Sequence, residues 1–296
     1  MTVSTATATD LITDAQLANY AKLILKVTGI RVSPQKKMLL SNRIRRRLKE
    51  TGIESFGAYY KRLCRLSVDD PEWDKFLQEI TTHETYLFRD EAHWSWFRDS
   101  YLPEISSDAV QGRRKKELRI WSAACSTGDE ACTIACCIAD RLMNSADWEI
   151  EILGTDIGID AVKKAEEAVF GERAMRLVPD SFRRRFFKKE GGNNLWAAKP
   201  ELRRWTKFRQ HNLLDQLKVP PFDLIFLKNV LIYFDNEAKK TVAAHLCHLL
   251  KPGGVLVTSA AENVSEHLTS LERIASWRHQ NPQVSRTRTT KKGSAR

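Results

Sequence analysis

Between residues 15 and 81 apolar side chains recur every three or four positions, the spacing of helices that bury one face. Leu17, Tyr20, Ala21, Ile24 and Leu25 predict a helix over Ala15–Val27, capped by Thr13-Asp14 and closed by Gly29. Ser33-Pro34 opens a second, Gln35–Glu50, with Met38, Leu39, Ile44 and Leu48 as its apolar stripe and Gly52 as its stop. A third runs over Ser55–Leu66 and a fourth from Pro71 to about Thr81. The chain is expected to begin with a small all-helical domain at 14–85, after a disordered stretch at 1–13.

Further on, the period changes. Short apolar runs alternate with helical stretches: strand 119–124 and helix Ala131–Met143, strand Ile150–Asp156 and helix Asp160–Phe170, strand Phe222–Leu227 and helix 236–250, then strand Val255–Ser259. Strands alternating with helices predict a parallel α/β sheet of the doubly wound, Rossmann-like kind, placed at 86–280. Leu195–Arg209 alternates in the manner of a small inserted β-subdomain, at about 190–210. After Ile274-Ala275-Ser276-Trp277 the chain passes into a basic tail, so the last strands look short, and 281–296 are expected to be disordered.

The first of these strands decides the candidate chemistry. Arg119-Ile120-Trp121 leads into Ser122-Ala123-Ala124-Cys125-Ser126-Thr127-Gly128, then two carboxylates, Asp129 and Glu130, and a helix. Strand, small-residue turn and helix let a nucleotide-like ligand lie against backbone at the carboxyl end of a sheet. The next strand ends in an acid, Asp156, about 25 residues on, a spacing that suits acceptance from ribose hydroxyls. The turn holds a single Gly, so no pyrophosphate cradle of the GxGxxG kind is present. A nucleoside lacking a diphosphate fits better, and S-adenosylmethionine is the first candidate. A doubly wound domain that merely ends a strand on an acid is the alternative.

Composition narrows the field. At 296 residues with 42% apolar content the chain can bury a large domain and a smaller one. No apolar run approaches the roughly 20 residues of a membrane span, and Met1–Asp10 has neither the basic nor the apolar region of a secretory signal. The six cysteines form no CxxC pair and are expected to be reduced thiols in a cytoplasm. Cys132 and Cys136 lie one helical turn apart, but no nearby His completes a ligand set, and no metal is expected.

Net charge is +11, which favours an acidic partner. Much of it sits on the second helix, where Lys36, Lys37, Arg43, Arg45, Arg46, Arg47 and Lys49 face a single carboxylate, Glu50. So self-repulsive a helix suits contact with negative charge. DNA is one source of such charge, yet no helix-turn-helix spacing or aromatic stacking pattern accompanies the helix.

Several stretches then fall in register. Thr81-Thr82-x-x-Thr85-x-x-Phe88-Arg89, Trp121-Ser122-Ala123-Ala124-x-Ser126-Thr127-Gly128, Asp156-Ile157, Asn229-Val230-x-Ile232-Tyr233-Phe234, Leu250-Lys251-Pro252-Gly253-Gly254 and Glu262-Asn263 resemble, in order, the chemotaxis receptor methyltransferases of the CheR type. The resemblance runs from about residue 14 to about 275. It implies a class I methyltransferase sheet with a helical N-terminal domain and a β-subdomain, and transfer of a methyl group from S-adenosylmethionine to receptor glutamates.

It also implies roles. Arg89 and Tyr233 would be catalytic, Arg89 orienting a carboxylate. His83, Thr85 and Arg89 would line the cofactor site, with Asp129 and Glu130 towards the methionine part. Asp156 would hold the ribose, Asn212 and Leu213 the adenine, and Lys228 and Asn229 the end of the fourth strand. The family usually has Asn at His83, Glu at Asp129, Pro-Tyr at Ala131-Cys132 and Arg at Lys228. The basic helix 35–50 would dock the acidic, Glu-rich helical methylation region of a chemoreceptor, and the β-subdomain is a candidate contact for a receptor C-terminal peptide. No nucleic-acid partner and no membrane insertion are expected. Two other readings share the fold: a methyltransferase of another substrate, and a non-catalytic signalling or binding module.

Overall fold

A computed structural model describes residues 11–282, apart from 68–69, 143, 192–193 and 263. The disorder expected at 1–10 and 283–296, the Gly192-Asn193 turn and Asn263 fall outside the described residues. Residues 11–13, expected to be disordered, are described and ordered. Ile12 is fully buried and its N–H donates to Ser41 Oγ at 3.1 Å. Asn281, expected in the tail, exchanges backbone hydrogen bonds with Gly253 and Gly254.

The helical module comprises α1 (Asp14–Thr28), α2 (Lys37–Thr51, after a 3-10 turn at Pro34–Lys36), α3 (Phe56–Leu63) and α4 (Pro71–Ile80). Each start has its cap. Thr13 and Gln16 form a capping box on α1, and Ser55 and Asp70 accept from the first turns of α3 and α4. Gly29 and Gly52 end α1 and α2 in the left-handed region. The core is Tyr20, Ile24, Ile44, Tyr59 and Phe76 with their neighbours. The stripe of α2 differs from expectation: Leu40, Ile44 and Leu48 are buried, whereas Met38 and Leu39 are 65% and 45% exposed. The buried set follows the i, i+4 row, and the two residues before it lie on the other side.

Helices α5 (Glu91–Trp96) and α6 (Leu102–Val110), joined through a π-helical turn at Phe97–Tyr101, lead to the sheet. Its strands are β1 (Glu117–Ala123), β2 (Glu149–Asp156), β6 (Thr206–Gln210), β7 (Phe222–Leu227), β8 (Leu250–Thr258), β9 (Glu272–Ala275) and β10 (Arg278–Gln280). Their order is β6-β2-β1-β7-β8-β10-β9. The first five are parallel, and β10 runs antiparallel to both β8 and β9. The short last strands therefore close the sheet as a hairpin.

Central strands are apolar along their length because both faces are covered. Helix α7 (Asp129–Arg141) with α5 lies over one face, where Phe226 is buried between Trp94 and Phe97. On the other, α12 (Asn236–His248) packs Val242 and Leu246 over Ile225 and Leu256. The order reverses at β1, between β2 and β7, and that switch point is where a doubly wound sheet opens a crevice.

A second sheet only partly overlaps the place expected for it, 190–210. It is formed by β3 (Val169–Gly171), β4 (Phe187–Glu190) and β5 (Leu195–Ala198), in the order β3-β5-β4. The short helices α9 (Glu172–Met175) and α10 (Asp180–Phe186) connect β3 to β4. The insertion thus spans 169–198, between α8 (Ile159–Glu167) and α11 (Pro200–Arg203). Residues 206–210, expected inside it, pair with β2 as the edge of the main sheet. Alternation alone could not separate the two, because a small two-sided sheet and a sheet edge share the period of two.

Candidate active site

The turn after β1 is held in an unusual backbone. Ala124 and Ser126 take positive φ, +57° and +51°, and Asn229 after β7 takes +61°. Non-glycine residues in that region cost about 1–3 kcal/mol each and persist where surrounding structure over-determines them. All three line one cavity at the switch point. The helical module roofs it with Thr28, Ile30, Arg31, Lys36, Leu39 and Arg43, and segment 80–89 forms a wall.

The roof is fastened to the sheet domain. Arg31 N donates to Tyr233 O at 2.7 Å, Asp235 N to Gly29 O at 3.2 Å, and Ile30 pairs with Phe234. Gly29 is required there, since φ is +74° and an added Cβ would stand 2.7 Å from Ala238 Cβ. Asn212 Nδ2 donates to Val27 O at 2.7 Å.

Asp156 stands at the tip of β2, nearly buried. Its Oδ2 accepts from Ser126 N at 2.8 Å and its Oδ1 from Gly158 N at 2.9 Å. His83 Nδ1 is 3.6 Å from the same Oδ1, and its Nε2 is 2.7 Å from Thr81 Oγ1. Burial lowers the His83 pKa, with Asp156 pulling it back up and Arg43 adding to the fall.

Lys228, at the end of β7, is buried among acceptors. Its ammonium is 3.4 Å from both Glu130 Oε2 and Asp90 Oδ2 and donates to Arg89 O at 3.2 Å. Trp94 Nε1 donates to the same carbonyl at 2.6 Å, and Lys228 lies over the Trp94 ring. Glu130 also accepts from Ser122 Oγ at 2.8 Å. The backbone of Arg89 is therefore held from two sides. Its guanidinium donates to Glu84 O at 3.3 Å and faces the Tyr86 ring. No carboxylate among the described residues pairs with it, because Asp90 is taken by Lys228 and Glu91 by Arg98.

Most of the expected residues converge. His83, Thr85, Arg89, Glu130, Asp156, Asn212, Leu213, Lys228, Asn229 and Tyr233 all line the cavity. Asp129 does not. It is 1% exposed, accepts from Thr127 Oγ1 at 2.6 Å, and leaves Oδ1 without a partner. As the first residue of α7 it points back under the turn, while its neighbour Glu130 takes the cavity side. Asn212 lines the cavity, but its side chain is engaged by Val27 O and Leu214 N.

Two contributions escaped sequence reasoning. The roof residues Thr28, Arg31, Lys36 and Arg43 belong to a module whose docking no local pattern announces. Glu262, fully buried after β8, accepts from Val230 N at 3.0 Å and Ile232 N at 3.2 Å and so shapes the loop carrying Tyr233. Glu262-Asn263 stood among the stretches that resemble the family, but nothing in the sequence gave Glu262 this role of holding the loop after β7. Cys132 and Cys136 are buried in α7, and no His, Cys, Asp or Glu cluster among the described residues is arranged to hold a metal.

Residues 15–81 match the family described as "CheR methyltransferase, all-alpha domain", and residues 83–279 match "CheR methyltransferase, SAM binding domain". The chain belongs to the CheR methyltransferase family. Among curated proteins, the chemotaxis protein methyltransferase of Escherichia coli K12 is 34% identical over 86% of this chain and 86% of its own. That of Salmonella typhimurium is also 34% identical, over 86% and 85%. That of Borreliella burgdorferi is 29% identical, over 86% and 89%. This CheR chain is accordingly a class I, S-adenosylmethionine-dependent methyltransferase of chemotaxis. No helix among its described residues is long and apolar enough to cross a membrane.

The cavity suits that cofactor. Asp156 keeps lone pairs for hydroxyls after binding two N–H groups, Leu213 and Ile157 supply apolar wall, and Glu130 offers a carboxylate for an ammonium.

Proposed function

We propose that this chain methylates glutamate side-chain carboxylates of a chemoreceptor, forming glutamyl methyl esters. The observation that carries the reading is Arg89, a guanidinium without a carboxylate partner in the same cavity as Asp156 and Tyr233. A planar fork of donors there suits a substrate carboxylate.

When bound, S-adenosylmethionine supplies an electrophilic methyl group on a sulfonium. The chain's own residues have a positioning task. A glutamate is ionised at neutral pH, so its oxygen needs no general base. Arg89 orients that oxygen, with Lys228 and Trp94 fixing the Arg89 backbone and Tyr233 forming the opposite wall. Asp156 receives the ribose, Leu213 and the backbone around Asn212 the adenine, and Glu130 the methionine end. His83, Thr85 and Asn229 complete the lining. The roof of Leu39, Ile30 and Arg43 excludes water, which favours the meeting of an anion with a cation.

The substrate is an acidic helix. Arg31, Lys36 and Arg43 lie at the cavity, and α2 continues their charge outwards through Arg45, Arg46 and Lys49. Such a field steers a Glu-rich helical surface. The small sheet offers the β4 edge, with exposed Lys188, Lys189 and Glu190, as a second contact for a receptor C-terminal peptide.

The test is transfer of labelled methyl from S-adenosylmethionine to a receptor cytoplasmic fragment, with tRNA and DNA as competing substrates. Base-labile label on receptor glutamates, absent in Arg89→Ala and Asp156→Ala, is expected. Calorimetry should show the Asp156 variant losing at least about tenfold in S-adenosylhomocysteine affinity. Label on nucleic acid instead, or cofactor binding without transfer to receptor, overturns the proposal.

A further inference from the structure

The Arg89 guanidinium rests on two neighbours, Glu84 O at 3.3 Å and the Tyr86 ring, whose centre is 5.5 Å from the guanidinium carbon. Each neighbour is gripped from the β-insertion. Arg173 of α9 pairs with the Glu84 carboxylate. Arg176, just after α9, places its guanidinium carbon 3.4 Å from the centre of the Tyr86 ring. At that separation only a flat stack avoids a clash, so Arg176 covers one face of the ring and leaves Arg89 the remainder. Arg176 Nη1 also donates to Arg173 O at 3.0 Å, which joins the two grips.

The stack is anchored on both sides. Leu87 and Phe88 carry the chain from Tyr86 into the core, where Leu87 N donates to Ala174 O at 3.1 Å and Phe88 N to Thr133 Oγ1 at 3.0 Å. Met175 and Val178 are buried on either side of Arg176, and Val178 N donates to Met175 O at 3.0 Å. Two side chains thus leave fixed backbone and meet at the cavity mouth. Arg176 is exposed and does not line the cavity, whereas Tyr86 does. No carboxylate among the described residues pairs with Arg176, so none draws it off the ring.

Resting on the reading that Arg89 orients the substrate carboxylate, we infer that Arg176 is a positioning residue for methyl transfer. Its stack on Tyr86 fixes the direction in which Arg89 presents its donors. Without the stack Tyr86 regains its side-chain freedom, and Arg89 loses one of its two supports. The attacking oxygen must lie in line with the methyl group and the departing sulfur, so a small error in the direction of Arg89 costs rate and leaves cofactor binding intact. The insertion thereby takes part in the transfer step. Arg176 also adds positive charge at the mouth, but charge alone needs no planar group, whereas a flat stack does.

The test is steady-state transfer from S-adenosylmethionine to a receptor cytoplasmic fragment, with S-adenosylhomocysteine Kd measured by calorimetry on each variant. Arg176→Ala should lower kcat about tenfold and keep Kd within about twofold, with Tm unchanged. Arg176→Lys should lose nearly as much, since an ammonium keeps the charge and cannot stack flat. Tyr86→Leu should cost at least as much as Arg176→Ala, and adding Arg176→Ala to it should cost nothing further, because both remove one contact. Wild-type kcat in Arg176→Ala overturns the proposal. So does full rescue by lysine or a loss confined to KM, either of which would make Arg176 a steering charge, and so do multiplied losses in the double variant. Arg89→Ala in the same assay separates the failures. Transfer lost there and intact in Arg176→Ala removes the positioning role alone. Transfer retained in Arg89→Ala, or absent from the wild-type chain, removes the reading beneath it and the positioning role with it.

Discussion

Lys228 Nζ stands 3.4 Å from Glu130 Oε2, with the lysine side chain 3% exposed and the glutamate 15%. The pair ties the end of β7 to the first turn of α7, and through the Arg89 carbonyl it reaches the candidate catalytic segment. Burial and the adjacent ammonium together hold His93 down to about 4, so it stays neutral beside Lys228. Removing one partner of a buried pair leaves the other uncompensated. Lys228→Ala should lower stability by about 3 kcal/mol in urea unfolding at pH 7. Lys228→Arg should recover most of the loss, and equal loss in both variants would mean that charge is not the cause.

Gly158 has ordinary φ, yet a Cβ there would meet Gln78 Oε1 at 2.5 Å and the His83 ring. Gly158→Ala should displace that ring while leaving α8 able to form. Because the ring lines the cavity beside Asp156, S-adenosylhomocysteine affinity should fall about tenfold, with little change in Tm. Calorimetry beside thermal unfolding separates this from general destabilisation, which would lower Tm by many degrees.

The seven cations of the basic helix are not one surface. Arg47 is buried, with its guanidinium on Glu72 at 3.0 and 2.9 Å, while Tyr59 donates to the same carboxylate at 2.6 Å. Arg43 turns towards the cavity and donates to the Ile80 carbonyl and to Thr82 Oγ1. Lys37 and Arg46 are exposed enough for Asp14 and Glu79 to hold them only loosely. Arg47→Ala should destabilise the helical module by about 3–5 kcal/mol. Arg46→Ala should leave stability within about 0.5 kcal/mol and raise receptor KM at low salt, an effect that high salt abolishes. Equal Tm losses in both variants would contradict the split.

Asp129 carries a testable sign. Burial raises its pKa above 3.8, against the lowering effect of the Thr127 hydrogen bond. The native state therefore keeps its proton to higher pH than the unfolded chain does. Across that window stability falls as pH rises, and below pH 3.8 this contribution is fully present. Asp129→Asn cannot titrate, so its stability relative to wild type should improve between pH 4 and pH 8. Urea midpoints at both ends of the range check this, and a parallel pair of profiles would place the carboxylate in a better-solvated setting.

Local patterns were enough for the elements that bury one face. The capping residues Thr13, Ser55 and Asp70 and the stops Gly29 and Gly52 mark helices wherever they occur, because the orphan N–H and C=O groups of helix ends need local partners. The stripe of α2 was misplaced by Met38 and Leu39, since apolar residues flanking a buried row look the same in one dimension. The β-insertion at 169–198 was misplaced for a related reason. Whether an alternating run joins the small sheet or the edge of the large one depends on which strand it meets, and β2 lies more than 50 residues before Thr206.

For the site, the sequence by itself determined the small-residue turn after β1, Asp156 at the next strand tip, and the order of motifs that resemble the CheR family. These are short-range features, set by backbone sterics and by the alternation of strand and helix. Tertiary structure alone decided which of two adjacent acids faces the cavity, that Arg47 is spent inside the helical module while Arg43 faces the site, and that His83 opposes Asp156. Each depends on contacts between segments 25 to 98 residues apart. The energy of a buried charge or a lone pair is set by what surrounds it in three dimensions, and no local pattern records that.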